Sequence, residues 1–189
     1  MIAQDQTGGG QQSCIVSHGL SLKRLQSSSS SSSPSKASSI PIRIEGTGTG
    51  TLQRITIPSK PYTIQTDTYT ALGGQDSHPS PVSYSLASLS SCNQVTGAVV
   101  AKDRGIKLGK WVVSVDAVLP TNVLVGGEEG NPNWESVRLE ARVQTDIPLE
   151  DTKKFEGFVK EVERRCPITA LFKLSGVRYE SVWVNERIE

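Results

Sequence analysis

Apolar residues follow two periodicities along the chain, and the change from one to the other marks out its elements. From Ile40 onward, IPIRIEG, TLQRITIP and YTIQTD are short β-type runs divided by Gly-Thr repeats and by the turn formers PSKP, which predicts an antiparallel meander. Past Gly73 the spacing lengthens. Val82, Leu86, Leu89, Cys92, Thr96 and Val99 recur at helical intervals, which places Cys92 on a buried stripe. Ser80 suits the N-cap of this helix and Pro81 its first position, because proline's fixed φ is helical and its missing N–H would have had no partner. Gly105 and Gly109 mark the exit. WVVSVDAVL then alternates as a half-buried strand, GGEEGNPN is a polar loop, and WESVRLEARVQT lines one face with Val137, Leu139, Ala141 and Val143, which makes a long hairpin.

A second helix is expected from Asp146 to Arg165. Its stripe of Leu149, Phe155, Phe158, Val159 and Val162 runs into Cys166, and Pro148, Glu150 and Asp151 near its start and Arg164 and Arg165 at its end suit the helix dipole. If Pro167 opens a short helix over PITALFK, Cys166 occupies its N-cap, where free N–H groups favour a negative sulfur. VRYESVWVNER closes the chain as a strand, with Val177, Tyr179, Ser181 and Trp183 on one face and Arg178, Glu180, Val182 and Val184 on the other. The order βββ-α-ββ-α-β predicts an α+β fold, antiparallel sheet against two helices.

Composition narrows the function. In 189 residues, 20 basic side chains face 19 acidic ones for a net charge of +1, which argues against a nucleic-acid partner. No apolar run is long enough for a membrane-spanning helix, and at 5% aromatic residues a base-stacking platform is not expected. Residues 1–39 form a separate region from the domain at 40–189. Their serine run, basic residues and lack of acidic ones between Gln6 and Ile44 match a mitochondrial-type leader, while the same serine-rich composition also fits a plain tail on a cytoplasmic protein. Cys14 falls there and is read as an incidental thiol. GTGTGTL lacks the Lys-Ser/Thr of a phosphate loop and is read as a glycine-rich turn. His18 and His78 are far apart and no Cys-x-x-Cys exists, so neither a metal nor a cofactor is expected.

A lone buried cysteine is usually inert packing. Here two helices each carry one, and the residues around them resemble a family. GGQDSHPSP upstream of LASLSSC, then RRCPITALF after a β-rich stretch, are similar to the OsmC/Ohr family of osmotically inducible and organic hydroperoxide resistance proteins, over roughly residues 40–189. The resemblance implies an intertwined homodimer whose sheets wrap the central helices. It also implies a Cys-based peroxidase: Cys92 attacks the distal oxygen of an organic hydroperoxide, Cys166 resolves the sulfenic acid as a disulfide, and an external dithiol, of the lipoyl or small-thiol kind, reduces it.

The chain departs from the family at one place. The glutamate that follows the turn and holds an activating arginine is replaced at Val82 and Ser83, neither of which pairs with a guanidinium. Arg43 and Arg54 are candidates for that arginine, with His78 as a substitute; a solvent-facing role is the alternative for each. The departure keeps open a second reading, a redox-responsive or small-ligand-binding protein without efficient turnover, and a third in which the thiols are purely structural.

Overall fold

The computed structural model describes residues 39–189. The expected leader and Cys14 lie outside them. Strands β1 (Glu45–Thr49), β2 (Leu52–Thr56) and β3 (Thr63–Thr66) form the expected antiparallel meander. GTGTGTL is its first hairpin, turning at Gly50 with φ 62°, a left-handed conformation that glycine adopts without strain.

Helix α1 (Pro81–Arg104) starts where its caps place it: Ser80 Oγ accepts from the Ser83 N–H at 3.2 Å, and Gly105 closes the helix with φ 64°. Strand β4 (Leu108–Val118) pairs antiparallel with β5 (Ser136–Thr145) as a long hairpin. Helices α2 (Thr152–Arg165) and α3 (Pro167–Leu174) follow, then β6 (Arg178–Arg187).

Three features differ from the sequence expectation. First, β6 runs parallel to β5, from Ser136↔Arg178 to Thr145↔Arg187, so the second sheet is mixed, in the order β4-β5-β6. The helical crossover through α2 and α3 carries the chain back to the end of the sheet where β5 began, and a parallel pair needs such a connection. Second, there are three helices, because Pro167 does open α3. Third, α2 begins at Thr152 rather than Asp146. Thr145 Oγ1 takes the Ile147 N–H at 3.0 Å and Asp146 Oδ1 takes the Lys107 N–H at 2.9 Å, which commits this backbone to the end of β5. Asp151 caps the helix instead, accepting from the Lys154 N–H at 3.1 Å, and Leu149 is left exposed.

The helices cover one face of the β4-β5-β6 sheet. Val137, Leu139, Ala141 and Val143 of the central strand are buried as their alternation predicts, against Leu89 of α1, Phe172 of α3 and Val177. A second cluster joins Val100 and Ala101 of α1 to Phe155, Phe158 and Val162 of α2. Trp111 touches both clusters, edge-on to Trp183 at 5.8 Å and to Phe158 at 6.3 Å. Helix α1 passes so close over its ring that a Cβ on Gly97 would lie 2.3 Å from the indole, so this helix position requires glycine.

The N-terminal sheet is held to α1 through polar contacts. Tyr84 Oη donates to the Gln65 carbonyl at 2.9 Å. Asp67, fully buried, accepts from Thr51 Oγ1, from the Gln75 and Ser77 N–H groups and from Ser77 Oγ, all at 2.9–3.1 Å. One carboxylate thus ties the β1–β2 hairpin to the GGQDS turn before the helix.

Candidate active site

Helix α1 buries a different stripe from the one its large apolar residues suggest. Leu89, Asn93, Thr96, Gly97, Val100 and Ala101 face inward, while Val99 is 51% exposed and Val95 65%. The two stripes share Leu89 and Thr96, and the buried one is rotated by roughly half of the 100° that separates successive helix residues, because polar Asn93 and the small Gly97 belong to it. Cys92 therefore sits half-buried at its edge.

Cys166 is fully buried and caps α3, its Sγ accepting from the Thr169 N–H at 3.4 Å. The two cysteines are reduced and lie near one another where α1 packs against α3. Behind them is a polar pair that sequence reasoning missed. Asn93 Nδ2 donates to Thr169 Oγ1 at 3.1 Å and to the Leu89 carbonyl at 2.8 Å, and both residues are completely buried. A buried amide has to find partners, so this one fixes α1 against α3 at the level of the thiols. The available signal was an asparagine at core spacing directly after a cysteine.

The thiols are electrostatically unlike. Burial pushes the Cys92 thiol up from its ordinary value, and the neighbouring Cys166 adds to this, against weaker help from Ile168 and Thr96. Burial also raises Cys166, but Thr169, whose N–H the sulfur accepts at 3.4 Å, together with the neighbouring Cys92 and Ile168, holds it below the ordinary value. The buried phenol of Tyr179 faces the same cluster. Burial first, then Glu163, push it well above the usual tyrosine range, so it stays protonated.

The remaining site candidates lie apart from this cluster. Arg43 is mostly exposed and pairs with Glu45 at 2.7 Å. Arg54 and His78 line an open groove of about 660 Å³ on the N-terminal sheet with Gln53, Gln65 and Ser77. A larger, mainly apolar cavity of about 1070 Å³ opens beside the start of α1 among Tyr69, Leu72, Leu86, Leu119, Val125 and Trp134. Val82 and Ser83 are on its wall, and the Ser83 and Ser80 hydroxyls lower the Tyr69 phenol there. Among the described residues no group of three His, Cys, Asp or Glu side chains is arranged to hold a metal ion, and no helix is long and apolar enough to cross a membrane.

No curated protein matches the chain. Among solved structures, an OsmC-like protein from Mycoplasma pneumoniae superposes with a TM-score of 0.64 at 15% identity, covering 77% of this chain and 97% of the other. An OsmC-like protein of unknown function from Vibrio cholerae gives 0.63 at 11% identity, over 77% and 100%. An organic hydroperoxide resistance protein from Elizabethkingia anophelis gives 0.61 at 17%, over 79% and 99%. These identities establish a shared fold. A family model described as OsmC-like protein matches residues 74–180, which hold α1, α2, α3 and both cysteines, and the chain belongs to the OsmC-like family.

Proposed function

We propose that the protein is a thiol-dependent peroxidase of organic hydroperoxides, in which Cys92 attacks and Cys166 resolves. The observation that carries this reading is the meeting of two reduced thiols of unequal exposure, one half-buried and one sealed, across two different helices. The accessible thiol suits the attack and the sealed one the second step. The apolar cavity opens on α1 upstream of Cys92 and suits a hydrocarbon-bearing substrate better than a charged one. An external dithiol, of the lipoyl class, closes the cycle.

The working unit is a homodimer. Val95 and Val99 leave an apolar strip on the outer face of α1, every residue of β1 is exposed, and Ile42 and Ile44 beside it are bare. A second copy of the chain supplies a matching surface for each.

One observation favours the second reading, a redox-responsive protein of slow turnover: the attacking thiol is pushed up, not down. Consumption of cumene hydroperoxide with a dithiol reductant decides between them. Steady turnover lost in Cys92→Ser supports the peroxidase. A single stoichiometric oxidation without turnover supports the redox-responsive protein, and retention of both thiols in excess hydroperoxide overturns both.

A further inference from the structure

We infer that Asn93 and Thr169 are positioning residues for the second chemical step: they set Cys166 against Cys92 and so govern how readily the two sulfurs join. This deepens the peroxidase reading and rests on it for the oxidant. A run of hydrogen bonds crosses from one thiol-bearing helix to the other. The Leu89 carbonyl, which can only accept, takes Asn93 Nδ2 at 2.8 Å and thereby orients the amide on α1. The same nitrogen donates to Thr169 Oγ1 on α3 at 3.1 Å, and the Thr169 hydroxyl donates to Asn93 Oδ1 at 3.4 Å. The Thr169 N–H then donates to Cys166 Sγ at 3.4 Å. One end of the run is thus the residue next to Cys92, and the other is the Cys166 sulfur itself.

Asn93, Thr169 and Cys166 are all 0% exposed, and among the described residues no other side-chain hydrogen bond joins α1 to α3. Packing alone does not call for such a pair, because two apolar side chains of the same shape would hold the helices about as well. The amide and hydroxyl add a single register, since their bonds are lost when one helix slides or turns against the other. Register matters because Cys166 is sealed between α2 and α3 and cannot search for its target. A reacting group misplaced by about 1 Å can lose roughly a hundredfold in rate.

The step balances. The hydroperoxide oxidises Cys92 to the sulfenic acid and leaves as the alcohol. Cys166 gives up its proton and attacks the Cys92 sulfur, forming the S–S bond as the S–O bond breaks, and the departing hydroxide takes a proton and leaves as water. Two electrons pass from the two thiols to the hydroperoxide. Asn93 and Thr169 act through the cysteines and take no part in bond making.

The test removes the hydrogen bonds without opening the core. Asn93→Leu combined with Thr169→Val keeps the approximate shape of both side chains and strands neither polar partner, so the fold should survive. Two readouts then follow the joining of the sulfurs, and packing alone would move neither. In glutathione buffers, where the thiols equilibrate without hydroperoxide, the Cys92–Cys166 disulfide should be at least about tenfold less stable against glutathione than in wild type. After mixing with cumene hydroperoxide, the Cys92 sulfenic acid, trapped with dimedone at intervals, should persist about ten times longer and pass on to sulfinic acid in excess oxidant. A folded variant that leaves either value unchanged overturns the inference, with the peroxidase reading intact. Should the double variant fold poorly, Thr169→Val takes its place: it should shift both values, Thr169→Ser should restore them, and values that do not move count against the inference. A wild-type disulfide that forms in glutathione but not with hydroperoxide, and that the variant weakens, supports the positioning while the peroxidase reading falls. If the wild-type thiols join under neither condition, the inference falls as well.

Discussion

The two sheets of this protein are built on opposite terms. In the β4-β5-β6 sheet, the central strand puts four apolar side chains under three helices, each 1% exposed or less, and a single chain completes the layer. In the β1-β2-β3 sheet every residue of β1 is exposed and Leu52 remains 39% exposed. It is fastened by a buried carboxylate, not by a core. A sheet that cannot bury its own apolar face is unfinished in one chain. The difference locates stability in the β4-β5-β6 sheet and leaves the β1-β2-β3 sheet free to meet a partner.

Substitution in the finished layer should have the largest effect. Phe158 is fully buried between Trp111 and Phe155, so Phe158→Ala should cost about 3–5 kcal/mol in denaturant unfolding. In dilute protein, Leu52→Ala in the exposed sheet should cost under about 1 kcal/mol. Equal costs would break the contrast, and a Leu52→Ala cost that grows with protein concentration would put a second copy on that sheet.

Next comes the contact of α1 with Trp111. Gly97→Ala gains helix propensity but drives a methyl into the ring, so the helix must lift and the net result is a loss of about 1–3 kcal/mol. A combined Gly97→Ala, Trp111→Leu variant should recover part of it. Unchanged stability in the single variant would mean that α1 packs less closely than it does here.

How much of this was legible beforehand follows from what the sequence patterns encode. The alternation of Val137 to Val143 identified the buried strand, and Ser80, Pro81 and Gly105 bounded α1, because both signals are local. The start of α2 was misplaced because Pro148, Glu150 and Asp151 read as a first helical turn, while the Ile147 N–H donated to Thr145 Oγ1 and the Lys107 N–H donated to Asp146 Oδ1 settle the backbone otherwise. The parallel pairing of β6 is a long-range choice that alternation within the strand does not carry. In the site, both cysteines could be singled out, but Asn93, Thr169 and Asp67 could not. They are polar residues whose burial depends on partners 76, 76 and 10 positions away, and a hydrophobic stripe counts them as surface.

Asp67 gives a smaller effect with a distinct dependence on pH. The Ser77 N–H first, with Thr51 and the Ser77 hydroxyl also contributing, holds its carboxyl well below the usual carboxylate range despite burial. A depressed folded-state pKa stabilises above the unfolded-state value and loses that contribution as pH falls through the folded one. The tie should therefore persist at neutral and mildly acidic pH and fail only in strong acid. Asp67→Asn should loosen the N-terminal sheet at neutral pH, seen as faster amide exchange in Thr51 to Ser77 with the β5 amides unchanged. Equal loss of protection in β5 would show that the two sheets unfold as one.

The smallest stability effect is expected at the exposed arginines, where the contrast between the sheets becomes one of chemistry. Arg43 is paired only with Glu45 at the surface and Arg54 lines an open groove, so Arg43→Ala and Arg54→Ala should each shift stability by no more than about 0.5 kcal/mol. Their effect on turnover is the sharper measurement. Within one chain the strongest influences on Cys92 are burial, Cys166, Ile168 and Thr96, none of them a cation. If the thiols react without help from a cation, both variants should keep hydroperoxide turnover within about twofold, since a factor of two is under 0.5 kcal/mol of barrier. A loss of a hundredfold or more with unchanged stability would mean that the unfinished sheet carries an arginine across to the partner's thiol, and that its exposed face exists to activate the second copy.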